Sequence, residues 1–178
     1  MAKITGPYTI PDDHISLVGR IAGNWAHLEF EIDFGIWHLA NTHQQLAACI
    51  TSQLMSIHPR LKAFIALVEV RAGSAASVKA LKSFQGSIAD LVELRNRTVH
   101  DPRFKQKDTN EIHRLEITAK PRVQFGFLPE PKKELEQTLE RIRAKVIEFK
   151  ELRDRAIAEI DALPEASRPT LLQIVPGP

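Results

Sequence analysis

The sequence predicts a mainly α fold, a four-to-five-helix bundle carrying one small β-hairpin insertion between its third and last long helices. Three observations carry that prediction. Prolines are absent between Pro11 and Pro59, between Pro59 and Pro102, and between Pro131 and Pro164. An interior proline removes a hydrogen bond and clashes with the preceding turn, so Pro-free runs of this length read as helices. Within them apolar residues recur at three-four spacing, and only between Leu115 and Phe127 does the period drop to two. The expected organisation is a single domain over residues 1–163, with the hairpin at about 112–128, followed by a Pro-rich tail over 164–178.

The first helix is expected to begin at Asp12 or Asp13, where an acidic residue suits a helix N-terminus. Val18, Ile21, Trp25, Leu28, Ile32, Ile36 and Leu39 define one apolar face, and Gly19, Gly23, Ala26, Phe30, Phe34 and Trp37 define a second opposite it. Such a helix is either central in its own bundle or part of a subunit interface, and the aromatic-rich second stripe favours the interface. Leu46, Ile50, Leu54, Ile57, Leu61, Phe64 and Val68 keep one phase, which predicts two coaxial pieces with a kink at Pro59, ended by Gly73-Ser74.

The third helix is expected from about Ala75 to His100, with Val78, Leu81, Phe84, Ile88, Leu91, Val92 and Val99 buried. It should stop at His100 or Asp101, because Pro102 pushes the residue before it out of the helical region. Leu115 and Ile117, then Val123, Phe125 and Phe127, alternate with polar residues on either side of Lys120-Pro121 and read as a hairpin packed on the helices. The last helix is expected over about Pro131 to Leu163, with Leu135, Leu139, Ile142, Val146, Phe149, Ala156, Ile160 and Leu163 inward. Leu171, Leu172, Ile174 and Val175 in the tail could dock on a neighbouring surface.

Composition excludes several classes. With 178 residues, 43% apolar, the chain is long enough for an independent core. The lone Cys49 excludes an internal disulfide scaffold and a thiolate zinc module. No window approaches the roughly 18 apolar residues of a membrane span, and residues 1–11 lack the apolar core of a signal peptide, so the expected setting is the cytoplasm, with no membrane partner. A net charge of +2 says little about partners, so a nucleic-acid case must rest on local clustering.

The informative segment is Leu94-Arg95-Asn96-Arg97-Thr98-Val99-His100-Asp101. Arg95 falls in register with the buried face of its helix, where a guanidinium needs a partner because it cannot discharge itself. Asn96 and His100 are four apart and so neighbours on the shoulder of that face. His100 also sits in the last turn, where the helix dipole favours imidazolium, and an unperturbed imidazole titrates near about 6.5, suited to proton transfer. Two readings stay open. Arg95 could pair structurally with Glu29 or Glu31 while His100 caps the helix, or Arg95 could hold a phosphate while Asn96 orients it and His100 moves a proton.

The run Arg95-Asn96-Arg97-Thr98-Val99-His100 resembles the Arg-polar-x-x-x-His signature of the HEPN superfamily, an Arg, a polar residue and a His at the end of a helix in an all-helical bundle. The resemblance implies a homodimer whose two motif copies face each other, here through the first helix and the Arg95–His100 region. In catalytic members it implies a metal-independent endoribonuclease, with Arg95 on the scissile phosphate, Asn96 positioning it, and His100 as general base or acid. The RNA 2′-OH would be the nucleophile, leaving a cyclic phosphate and a 5′-OH, with no cofactor and no metal. A cognate antitoxin protein is a further implied partner. Many toxin-type members carry Tyr two residues after the His, where this chain has Pro102, and its only Tyr is Tyr8. The alternative within the same resemblance is a non-catalytic helical dimer that binds a protein or a nucleotide.

Local charge adds RNA-binding candidates: Arg97, Arg103, Lys105 and Lys107 follow Arg95 closely, opposed there only by Asp101, and would double across a dimer. A solvated loop explains the same pattern. Phe104 could stack a base, although packing on the hairpin suits it better. His27, Glu31 and His38 share one side of the first helix, but the two histidines lie about 16 Å apart along its axis, too far to share an ion. Cys49 near His43 reads as a buried small hydrophobe rather than a nucleophile.

Overall fold

A computed structural model describes residues 4–5, 10–118 and 124–164. Their elements are β1 (Ile4–Thr5), α1 (Asp12–Ala40), α2 (Gln44–Thr51), α3 (Ile57–Val70), α4 (Ala75–Ser87), α5 (Ala89–His100), β2 (Arg103–Gln106), β3 (Ile112–Thr118), β4 (Gln124–Pro129) and α6 (Lys132–Asp161). The chain is therefore mainly helical with a small antiparallel sheet, as the periodicity predicts. Lys120-Pro121, Val123 and the tail from residue 165 lie outside the described residues. The chain divides into two compact units, Met1–His27 with Ile88–Val146 and Leu28–Ser87 with Ile147–Pro178.

In the second unit, α1 buries Leu28, Ile32, Ile36 and Leu39, and α3 buries Ile57, Leu61, Phe64, Ile65 and Val68. Phe149 of α6 meets Phe64 edge-on at 5.6 Å between ring centroids and Phe84 of α4 at 5.4 Å, a geometry that suits the ring quadrupoles. Gly35 makes room for this cluster: a Cβ there would come within 2.7 Å of the Phe64 ring. Arg153 is buried with Glu31, to which it donates from Nη1, and it lies 5.3 Å from the Phe34 ring centroid. Glu31, a possible Arg95 partner on sequence grounds, is thus taken by Arg153.

Two helix breaks differ from the sequence expectation. The break before α3 falls at Ser52–Ser56 rather than at Pro59, which is instead accommodated in the first turn of α3, where backbone N–H groups lack intrahelical acceptors anyway. The break also resets the phase: Ala47 and Thr51 are buried, whereas Leu46 and Ile50, expected inward, are exposed. The expected 75–100 helix is interrupted at Ile88. Just before it stand Gly86 and Ser87, and the Ser87 hydroxyl donates to the Phe84 carbonyl at 2.9 Å, a bond that competes with the helix ladder. Cys49, expected buried, is exposed.

The end of α3 closes in a Schellman arrangement, with Gly73 N–H on Val68 O at 2.8 Å and Ala72 N–H on Glu69 O at 3.1 Å. The left-handed residue is Ala72 (φ 62°), not the glycine beside it. That backbone costs an L-residue roughly 1–2 kcal/mol, partly offset because alanine restricts the unfolded chain. Ala72→Gly is therefore expected to raise unfolding free energy by about 0.5–1 kcal/mol in urea titrations, and a loss of stability would contradict this reading.

In the first unit the strands follow the order β1-β2-β3-β4, all antiparallel. The β3–β4 hairpin is the expected one; β2 and β1 extend it. Its two faces are dissimilar. Arg103 lies opposite Arg114, with Glu116 two residues further along β3, giving one charged face. The other pairs Leu115 with Phe127 and Ile117 with Phe125, and Ile117 and Phe125 are 62% and 67% exposed. Phe104 packs edge-on against Phe127 at 5.4 Å, the contact with the hairpin that its position suits.

Candidate active site

The site candidates stand on α5 and the strand that follows it. Asp101 leaves the helix in an extended conformation (φ −76°, ψ 135°), as a residue before proline must, and its N–H still bonds Arg97 O at 3.0 Å. Leu91 and Thr98 are buried on α5, while Val92 and Val99 are half-buried. Arg95 lies between them and is also half-buried, not sunk in the core as its register suggests.

Its guanidinium sits 5.9 Å from the centroid of Trp25, and Trp25 is itself buried on α1. Arg95 Nη1 donates to Asn96 Oδ1 at 3.0 Å, and Arg95 Nε is buried with no hydrogen-bond acceptor. Among the described residues no carboxylate pairs with Arg95. An indole face attracts a cation without neutralising it, so the positive charge stays available on the side away from the ring. Asn96 and His100 are exposed. The helix thus presents a held cation, an amide bonded to it and an open imidazole within two turns.

The neighbouring cations are employed differently. Arg97 bonds Glu93 at 2.7 Å and also Glu116, and these two hydrogen bonds hold its pKa above the ordinary guanidinium value. Arg103 is buried. Its Nε and Nη2 engage Glu130 at 2.5 and 3.0 Å, Nη2 also donates to Thr98 O at 2.5 Å, and Nη1 reaches Asp101 O at 3.3 Å. Thr98 O is among the last carbonyls of α5, which have no intrahelical donors, so Arg103 caps the helix that carries Arg95 and His100. The position expected to touch RNA is internal in this structure. Lys105 is half-buried on β2, and Lys107 is exposed in the turn that follows.

Glu130 completes this node. His14 Nε2 bonds its Oε2 at 2.9 Å, and Arg114 stands 4.0 Å from Oε1. Burial by itself would push the Glu130 carboxyl up, but hydrogen bonds from His14 and Arg103 and attraction to both hold it below its ordinary value. Sequence reasoning missed Glu130, His14 and Glu116 because they lie far along the chain from α5 and the sheet brings them in. Trp25 was visible only as an apolar position.

His38 Nε2 meets Asp161 at 3.1 Å, and no group of three or more His, Cys, Asp or Glu among the described residues is placed to hold a metal ion. No described helix is long and apolar enough to cross a membrane. Comparison with protein-family models, curated proteins and solved structures finds no match.

Because folding lowers the Glu130 pKa, the unfolded chain takes up that proton first as pH falls. The stabilisation is complete above the ordinary value of 4.5 and is lost as pH falls through the lower folded value. Glu130→Gln strands Arg103 and is expected to cost about 3–5 kcal/mol at pH 7. Urea unfolding at stepped pH checks both points: the variant should show a shallower acid-side slope than the parent, and equal slopes would assign that slope elsewhere.

Proposed function

We propose that this chain is an HEPN-like, metal-independent endoribonuclease acting as a cytoplasmic homodimer. The observation that carries the reading is Arg95: in a segment where Arg97 and Arg103 are matched by carboxylates, it alone of the three has none among the described residues, and it stands five residues, about one and a half turns, before the exposed His100. A half-buried guanidinium with an aromatic backing suits a phosphodiester, which supplies the missing negative charge and accepts hydrogen bonds in a planar fork.

In this reading the 2′-OH of the RNA loses its proton to an imidazole and its oxygen attacks phosphorus. The bond from phosphorus to O5′ breaks, and a second acid protonates the departing oxygen. Cleavage thus needs one base and one acid, and each chain offers one His100, so two copies facing each other supply both. Arg95 balances charge on the phosphoryl oxygens, and Asn96 holds the fork through the bond to Nη1.

The dimer reading rests on α1. Its second stripe is open: Gly19, Gly23 and Ala26 are exposed in the first unit, and Phe30 and Phe34 are 48% and 39% exposed in the second. A Cβ built on Gly19 or Gly23 meets nothing within 4 Å, so another helix could approach closely there. Trp37, last in that stripe, is half-buried and bonds Thr51 Oγ1 from its indole N–H at 3.0 Å.

Arg95→Ala and His100→Ala are each expected to lower RNA cleavage in EDTA by at least about 100-fold while leaving circular dichroism and solution mass unchanged. Products should carry a cyclic phosphate and a 5′-OH. Cleavage by both variants at the parent rate would refute the site, and a folded dimer with no cleavage in the parent would leave the non-catalytic binding module.

A further inference from the structure

The second unit carries a cavity whose reading does not rest on the RNA proposal. Where the end of α1, the start of α2, the end of α3 and the end of α6 meet, a cavity of about 520 Å³ is lined by Trp37, His38, Asn41, Gln44, Arg71 and Asp161. That volume falls in the range of small-molecule sites.

Two of these side chains are fixed in place by bonds that leave their recognition surfaces unused. Arg71 donates from Nε to Leu39 O at 2.8 Å, one of the carbonyls that the end of α1 leaves without a donor. Its terminal nitrogens carry no bond or ion pair among the described residues, and the side chain is half-buried. Trp37 is locked by its N–H to Thr51, and Phe30 meets it edge-on at 6.0 Å, so the indole is rigid and still half-exposed. The carboxylate in the lining, Asp161, is engaged by His38 at 3.1 Å. The remaining amides of Asn41 and Gln44 offer neutral donors and acceptors.

We propose that this cavity binds a small planar aromatic anion, its ring against Trp37 and its carboxylate or phosphate on the Arg71 fork. The chemistry selects both features together: the ring without the charge leaves Arg71 unmatched, and the charge without the ring leaves the indole wet.

Calorimetric titration of the full chain tests this with indole-3-acetate, adenosine 5′-monophosphate, tryptamine and acetate as probes. At least one aromatic anion should bind one per chain, at least tenfold tighter than tryptamine and acetate, and the tighter of the two distinguishes carboxylate from phosphate. Arg71→Gln and Trp37→Leu should each weaken it tenfold or more. Thr42 also lines the cavity, and Thr42→Trp, which fills it without removing an internal bond, should abolish binding even if the other two variants fail to fold. No binding of either anion at millimolar concentration, binding of tryptamine as tight as the anions, or undiminished affinity in folded Thr42→Trp protein would overturn the proposal.

Discussion

The buried carboxylate of Glu130 is the constraint on which the first unit depends. It stands at the junction of β4 and α6, takes His14 from the first turn of α1, and takes Arg103 from β2, which in turn holds the last turn of α5. A carboxylate removed from water must be matched or it will not stay ionised, and here two donors match it. The bidentate Arg103 contact gives direction as well as charge. Four separate segments therefore acquire fixed relative placement from a single anion, and Arg95 and His100 inherit theirs from it.

The sheet shows the same economy of charge. Its Arg103, Arg114 and Glu116 face is laced with ion pairs, while Ile117 and Phe125 on the opposite face are open. Two arginines directly across a strand pair would repel. Arg103 is matched by Glu130, and Arg114 lies 3.6 Å from Asp101 and 3.7 Å from Glu116, so the repulsion is answered locally. The three arginines that look like one patch along the chain thereby differ: Arg97 and Arg103 are matched by carboxylates, and Arg95 has none among the described residues.

Much of this was legible in the sequence, and the limits are physical. The start of α1 and the bounds of α6 follow from proline placement and three-four spacing, and the hairpin from alternation, because those signals are local. The break at Ile88 was not visible, since Gly86 and Ser87 weaken a helix without stopping it and no proline marks the place. The Ser52–Ser56 break was misplaced because Pro59 looked like the cause, whereas a proline in a first turn disturbs nothing. In the candidate site, the motif residues and the end of α5 were readable. The fate of Arg103 was not: a solvent-facing arginine and a buried one are the same letter, and Glu130 lies 27 positions away.

The claim that the Glu130–Arg103 node fixes the end of α5 is tested most directly by amide hydrogen exchange in Arg103→Lys protein. Lysine keeps the charge but lacks the fork that reaches Glu130 and Thr98 O together. The account predicts that the Asp101 amide, bonded to Arg97 O, and its neighbours in the last turn of α5 lose protection while amides in the middle of α6 keep theirs. Unchanged protection across residues 97–101 would contradict it.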